Sequence, residues 1–405
     1  MQLKPLHFFT LVLISSLGIT GLSGFTSAIA AEGDSAKPRS TAEIKRDLKQ
    51  AAEAYDEKDY ATALMLWFPL ADTGNADAQY RLGKMYLQQT EQRKDPAEAA
   101  NWINKAAQQD HAEAQLLLSE MYQQGKGVEK SDSQAAGWLL KSARLKNRTA
   151  QFRLAGLYYQ GTGVQQSPPK AAYWYQEAAK QNHAQAQHKL AMMFLQGDGI
   201  TQNTKSARKW LQKAADAGIG DAQYELARLY QQGESVKQDM DIAFKWFKQA
   251  AENNHPRAQS QLGVIYHQGL ISEKNDKLAF DWFSKAAAQD DSLAQFHLGR
   301  FYVNGYGVKT DYEKGVAYFH KAAEKGHAQA QMNLGVAYYT GNGVIPDPVK
   351  AYAWFYVASA SSVKDAHETR MLLYDKLTDS ERKEAVELGR EYKQKYFTSE
   401  FRTGF

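Results

Sequence analysis

The chain has 405 residues, 43% of them hydrophobic and 23% charged, with a formal net charge of +4. That balance belongs to an ordinary folded protein with room for two or three domains or one long repeat array, and no lysine or arginine cluster stands out that would mark a nucleic-acid partner. Cysteine is absent, which excludes disulfides, thiolate metal sites, a thiol nucleophile and a cysteine-borne lipid anchor.

The opening residues carry one cation, Lys4, then an apolar run from Phe8 to Leu22 and the small-residue site Ala28-Ile29-Ala30. This arrangement predicts a secretory signal peptide over residues 1–30 and a bacterial periplasmic protein, or alternatively a secreted one, with no integral membrane segment after cleavage. A membrane anchor fits less well, because Ser15, Ser16, Gly18 and Thr20 interrupt the run. Residues 31–40 read as a flexible linker, and 41–73 as an N-terminal capping helix pair, with Ala63 in the frame described next and Trp67 one place out.

From there an alanine recurs every 36 residues without an insertion, from Ala78 through Ala114, Ala150, Ala186, Ala222, Ala258, Ala294 and Ala330 to Ala366. The first eight are each followed by glutamine. Leucine stands four residues on, a small residue five on, and an aromatic ring eight on, as in Gln151, Leu154, Ala155 and Tyr158. Spacings of four and eight share one helical face, so these residues predict a leading helix whose small residue admits a second helix closely. That trailing helix is announced by an N-cap residue in every repeat: Asp95, Ser131, Ser167, Asn203, Asp239, Asn275, Asp311 and Asp347. An alanine and then a tryptophan three residues later follow, as in Ala171 and Trp174, and a turn former such as Gly74, Asn182, Gly218, Asn254 or Gly326 ends the helix. Between the two helices lie glycine pairs such as Gly161 and Gly163, which suit a tight turn; they follow helices and lack the P-loop lysine, so they do not read as a nucleotide loop.

This pattern resembles the Sel1-like repeats, relatives of the tetratricopeptide repeats with a slightly longer unit, and it covers residues 74–361 as eight 36-residue repeats. The resemblance implies an all-α fold, a right-handed α/α superhelical solenoid of helix-turn-helix repeats. The frame has departures: Gln89 and Glu91 replace the first glycine pair, Ser235 and Ile271 the second glycine of repeats five and six, and Tyr318 a tryptophan. Residues 362–405 read as a degenerate ninth repeat, a capping helix opened by the Thr378/Glu381 capping box and running to about Tyr396, and a tail.

Signs of chemistry are few. No metalloprotease helix, serine elbow or metal-type histidine pair is present, and no cofactor or metal is expected. His111, His183, His255 and His327 recur at 72-residue steps just before leading helices, which suits a turn role better than a shared metal site. Ser167-Pro168-Pro169-Lys170 and Ser361-Ser362-Val363-Lys364 match the Ser-x-x-Lys element of penicillin-binding enzymes, but its partner motifs are missing and Ser167 is already used as an N-cap.

Positions two, six and nine after each alanine point away from the leading helix's buried arc, and in a superhelix of this kind the leading helices line the inner wall. Those places are rich in rings and cations, the mixture favoured at protein interfaces. Tyr80, Lys84, Phe152, Tyr159, Tyr224, Arg228, Phe296, Arg300 and Tyr339 are the candidate protein- or peptide-binding residues. The expectation is a non-catalytic periplasmic scaffold or adaptor that binds an envelope protein in its groove. Similarity to exported relatives implies a cell-wall enzyme, a polysaccharide export component or a sensor kinase as partner. The competing reading is a cell-wall or β-lactam hydrolase.

Overall fold

The computed structural model describes residues 39–88, 95–234, 236–271, 273–361, 363 and 365–397. The expected signal peptide, nearly all of the linker, the tail from residue 398, and the departures Gln89, Glu91 and Ser235 lie outside the described residues. Within them every regular element is a helix, as expected for an all-α repeat solenoid.

The chain divides into two units, Met1–Gln202 and Asn203–Phe405. The first holds α1 (Thr41–Asp56), α2 (Tyr60–Asp72), α3 (Ala76–Gln88), α4 (Pro96–Gln108), α5 (Ala112–Gln124), α6 (Asp132–Arg144), α7 (Arg148–Gln160), α8 (Pro168–Lys180) and α9 (Ala184–Gln196). The second holds α10 (Thr204–Asp216), α11 (Gly220–Gln232), α12 (Met240–Glu252), α13 (Pro256–Gln268), α14 (Asp276–Ala288), α15 (Ser292–Asn304), α16 (Tyr312–Glu324), α17 (Ala328–Thr340), α18 (Pro348–Ala360), α19 (Ala366–Lys376) and α20 (Asp379–Tyr396). Odd-numbered helices from α3 to α17 are the leading helices of the eight repeats, and even-numbered ones from α4 to α18 the trailing helices.

Helix length follows from the stop signals. All sixteen repeat helices have thirteen residues. Each trailing helix begins at the expected N-cap, and Asp95, Ser131, Asn203, Asp239, Asn275, Asp311 and Asp347 accept the amide three residues on. Ser167 is the exception: it holds the N-cap position of α8 but its hydroxyl makes no capping hydrogen bond, and Pro168 and Pro169 remove two amides from the helix's first turn. Leading helices end on a left-handed glycine, as at Gly161 with φ 78°. The second glycine is required for a different reason. A Cβ on Gly163 would lie 2.2 Å from the Asp132 carbonyl oxygen of the preceding repeat, so only glycine lets that turn seat on the start of α6.

The cores differ from the expected packing in two respects. The ring eight residues after the alanine is not the deepest side chain of a leading helix: Tyr158, Tyr230, Tyr266 and Tyr302 are half-buried, while the residue before each, Leu157, Leu229, Ile265 and Phe301, is buried. In the trailing helices Trp138, Trp174, Trp210, Trp246 and Trp282 are likewise half-buried, and the residue after each tryptophan fills the interior, as Leu139, Tyr175, Leu211, Phe247 and Phe283 do. Trp67, one place out of the tryptophan frame, occupies this deeper position in α2 and is buried. Trp102 and Trp354, which are in frame, are buried as well. Lysines cover four of the rings: Lys105, Lys141, Lys213 and Lys285 lie over Trp102, Trp138, Trp210 and Trp282 at 4.0, 3.9, 4.7 and 4.1 Å.

The glutamine beside each alanine is fully buried and has a structural task. Gln151 Nε2 donates to the Ala143 carbonyl at 3.1 Å, closing the end of the preceding trailing helix, and Gln151 Oε1 accepts from Gln181 Nε2 at 2.8 Å. The same pair of bonds recurs at Gln79, Gln223 and Gln259. At these four places the glutamine links the end of the preceding repeat's trailing helix to the end of its own.

Candidate partner-binding surface

The four histidines at 72-residue steps are N-caps of leading helices. Nδ1 of His111, His183, His255 and His327 accepts the amide of Ala114, Ala186, Ala258 and Ala330 at 3.1–3.3 Å. Against the face of each lies a ring from the repeat before. Tyr80, Phe152, Tyr224 and Phe296 pack on them with centroids 4.8, 4.5, 4.8 and 4.4 Å apart, and the last three stack within 22° of parallel. The other ring nitrogen of His111 and of His255 meets Asp77 and Asp221 at 3.0 and 3.1 Å.

Burial pushes the imidazoles of His183 and His255 below their usual value and takes His327 to about 4. Beside them His297, its face 4.6 Å from the Phe283 ring, is driven to about 3, again by burial. Among the described residues no three histidine, aspartate or glutamate side chains converge as metal ligands.

The nine candidate residues therefore divide. Phe296 is only 7% exposed, held between His327, Phe319 and the Arg300 guanidinium, and belongs to the core of its repeat instead of the surface assigned to it. Tyr80, Phe152 and Tyr224 are half-buried and present only an edge. Lys84 lies 5.5 Å from the Tyr80 ring centre, and Arg228 pairs with Glu225 at 3.2 Å. Burial, opposed by Arg228 and Arg257, raises the Glu225 carboxyl above its usual value.

Tyr159 and Tyr339, nine residues after their alanines, stay open at 40% and 48% exposure. A hydrogen bond to Asp198 lifts the Tyr159 phenol above its ordinary value, and Lys376 Nζ donates to the Tyr339 hydroxyl at 3.0 Å. The second unit also exposes Val336, Met371 and Leu372; of these only Val336 holds an outward position of the repeat frame.

The fragments resembling a serine enzyme gain no support as a site. Lys170 Nζ lies over the Tyr158 ring at 5.3 Å, Ser361 ends α18, and Ser362 and Lys364 lie outside the described residues.

Comparison with known proteins agrees with the repeat architecture. The family model of the Sel1 repeat matches residues 76–111, 112–147, 149–183, 184–219, 220–255, 256–291, 292–327 and 328–362. Among solved structures the chain is similar to c5321, a protective antigen of uropathogenic Escherichia coli with an SLR fold. The identity is 28% and the TM-score 0.63, over 88% of this chain and 85% of that one. It is also similar to a Sel1 repeat protein from Oxalobacter formigenes, at 27% identity and a TM-score of 0.60 over 85% of this chain and 99% of that one. No curated protein matches it. Eight consecutive matches across most of the chain, on helices that keep one 36-residue frame, place it in the Sel1 repeat family.

Proposed function

We propose that the protein is a periplasmic adaptor that holds a segment of another envelope protein against the leading helices, without chemistry of its own. Sel1 repeat proteins are in general protein-interaction scaffolds, and no described helix is long and apolar enough to cross a membrane. The observation that carries the reading is the exposure of outward frame positions within each unit: Tyr159 in the first, and Val336 and Tyr339 in the second. Rings beside cations such as Lys84, Arg228 and Arg300 suit a peptide or protein surface. The apolar opening segment supports export, and similarity to exported relatives supports a cell-wall enzyme, a polysaccharide export component or a sensor kinase as partner.

A photoreactive residue placed at Tyr159 or Tyr339 in living cells should capture the same envelope protein, and Tyr159→Ala with Tyr339→Ala should weaken that complex by about tenfold or more. No adduct at either place, with adducts at trailing-helix sites such as Lys248, would refute the reading.

A further inference from the structure

The turn between α6 and α7 breaks one rule that its counterparts keep and a second that half of the repeats keep. Four residues before the repeat alanine the backbone is left-handed. Other repeats place Gly74, Asp110, Asn182, Gly218, Asn254, Asp290 or Gly326 there, residue types that tolerate this region. Here the residue is Lys146, with φ 64°. Asp110, Asn254 and Asp290 also accept from the amides of Gln115, Gln259 and Gln295 at 3.2, 3.2 and 2.9 Å, which a lysine cannot do.

One residue earlier, Gln109, Gln181, Asn253 and Gln289 satisfy the buried glutamine of their own repeat. Leu145 has no amide, and Gln115 Oε1 is left buried without a partner. The same atom is orphaned in Gln295 and Gln331, but Lys325 and Ser361 stand in Leu145's place there, and Lys325 pairs with Asp290. Leu145 instead projects an apolar side chain, 44% exposed.

Cations ring it. Lys141, Arg144, Lys146 and Arg148 are all exposed, and none of the ion pairs among the described residues involves them. From Ser133 to Gln176 the sequence has six lysines and arginines and no carboxylate. Two local departures that weaken the fold thus coincide with a leucine exposed at the centre of a cationic turn. Such conflicts between local preference and fold collect where another task is served.

We propose that the turn Arg144-Leu145-Lys146-Asn147-Arg148 docks the protein on an anionic phospholipid surface. The leucine would enter the acyl boundary while the cations meet headgroup phosphates, the arrangement by which short basic-apolar segments hold to membranes reversibly. An acidic protein would supply the charges but would need a pocket for a leucine that projects from a turn. The proposal stands on this turn alone and is independent of the partner-binding surface.

Vesicle sedimentation tests it. The full chain should bind phosphatidylglycerol-containing vesicles well beyond pure phosphatidylcholine ones; the apolar stretch Phe8 to Leu22 contributes equally to every variant. Leu145→Gln with Lys146→Asn should lower that excess by about tenfold, while the thermal midpoint stays level or rises because the amide reaches Gln115 Oε1 and the left-handed strain is relieved. Arg144→Gln with Arg148→Gln, both exposed, should lower it by about 30-fold through charge alone. Equal binding to both vesicle types, binding unchanged in both double variants, or preference for soluble polyglutamate over vesicles would overturn it.

Discussion

Successive repeats are joined in two ways. Where an odd-numbered repeat meets the next, Tyr80, Phe152, Tyr224 or Phe296 packs against a histidine that caps the following leading helix. At two other junctions the same places hold Leu116 with Asn147, and Ser260 with Asp291, where the Ser260 hydroxyl donates to the Asp291 carboxylate at 2.7 Å. The first kind joins repeats by contact between two rings, the second by smaller side chains and a cap that carries no ring. A position that looks free when single repeats are compared is therefore committed to stacking in alternate repeats, and the working period of these leading helices is 72 residues, not 36.

The largest expected effect is at the most buried of these rings. Phe296→Ala should destabilise the second unit by about 3–5 kcal/mol, read as a fall in the denaturation midpoint, because it opens a cavity between His327 and Phe319. A loss below about 1 kcal/mol would show that the stack is not structural.

Acid separates the two kinds of junction next. Histidines held neutral by burial stabilise the fold fully above the ordinary imidazole value of 6.5, and that contribution is lost as pH falls toward the folded-state value. For His327, at about 4, the loss between pH 7 and 4 is about 3 kcal/mol, and His297, at about 3, adds a similar term. Urea midpoints measured over that range should fall steeply for the second unit and less so in the His327→Asn variant, which keeps a cap without a titrating ring. A profile identical in the two proteins would contradict the assignment.

Smaller changes sharpen the contrast. Ser260→Ala removes one buried hydrogen bond to a carboxylate and should cost about 1–2 kcal/mol with no added dependence on acid. Tyr339→Ala, on an open ring, should leave the melting curve within about 0.5 kcal/mol of the parent while weakening partner capture, and a cost comparable to that of Phe296→Ala would return Tyr339 to the framework.

The helical frame was legible because its signals are local. N-cap residues, left-handed glycines and four-residue spacings act within a turn or two of chain, and they set the bounds of helices such as α12 and α16 closely. Depth was less legible. The most conspicuous residue of the trailing helix, tryptophan, sits at the rim in five of seven repeats, while the neighbour that varies between leucine, isoleucine, tyrosine and phenylalanine fills the core in all seven; Trp67, one place out of frame, was the visible sign of that deeper place. The surface suffered most, since Phe296 and Tyr339 both occupy outward frame positions on a helical wheel, and the former is buried by Phe319 together with the histidine one repeat later. That partner lies 31 residues on, beyond any local pattern, although the 72-residue recurrence of the histidines could have signalled it.

A double-mutant cycle on Tyr224 and His255 tests most directly whether these pairs hold alternate repeats together. With urea unfolding of the parent, Tyr224→Ala, His255→Ala and the double variant, a coupling of about 1 kcal/mol is predicted, because either change removes the same stacked contact. Strictly additive losses would mean that ring and histidine merely lie side by side, and the two-repeat unit would have no energetic basis.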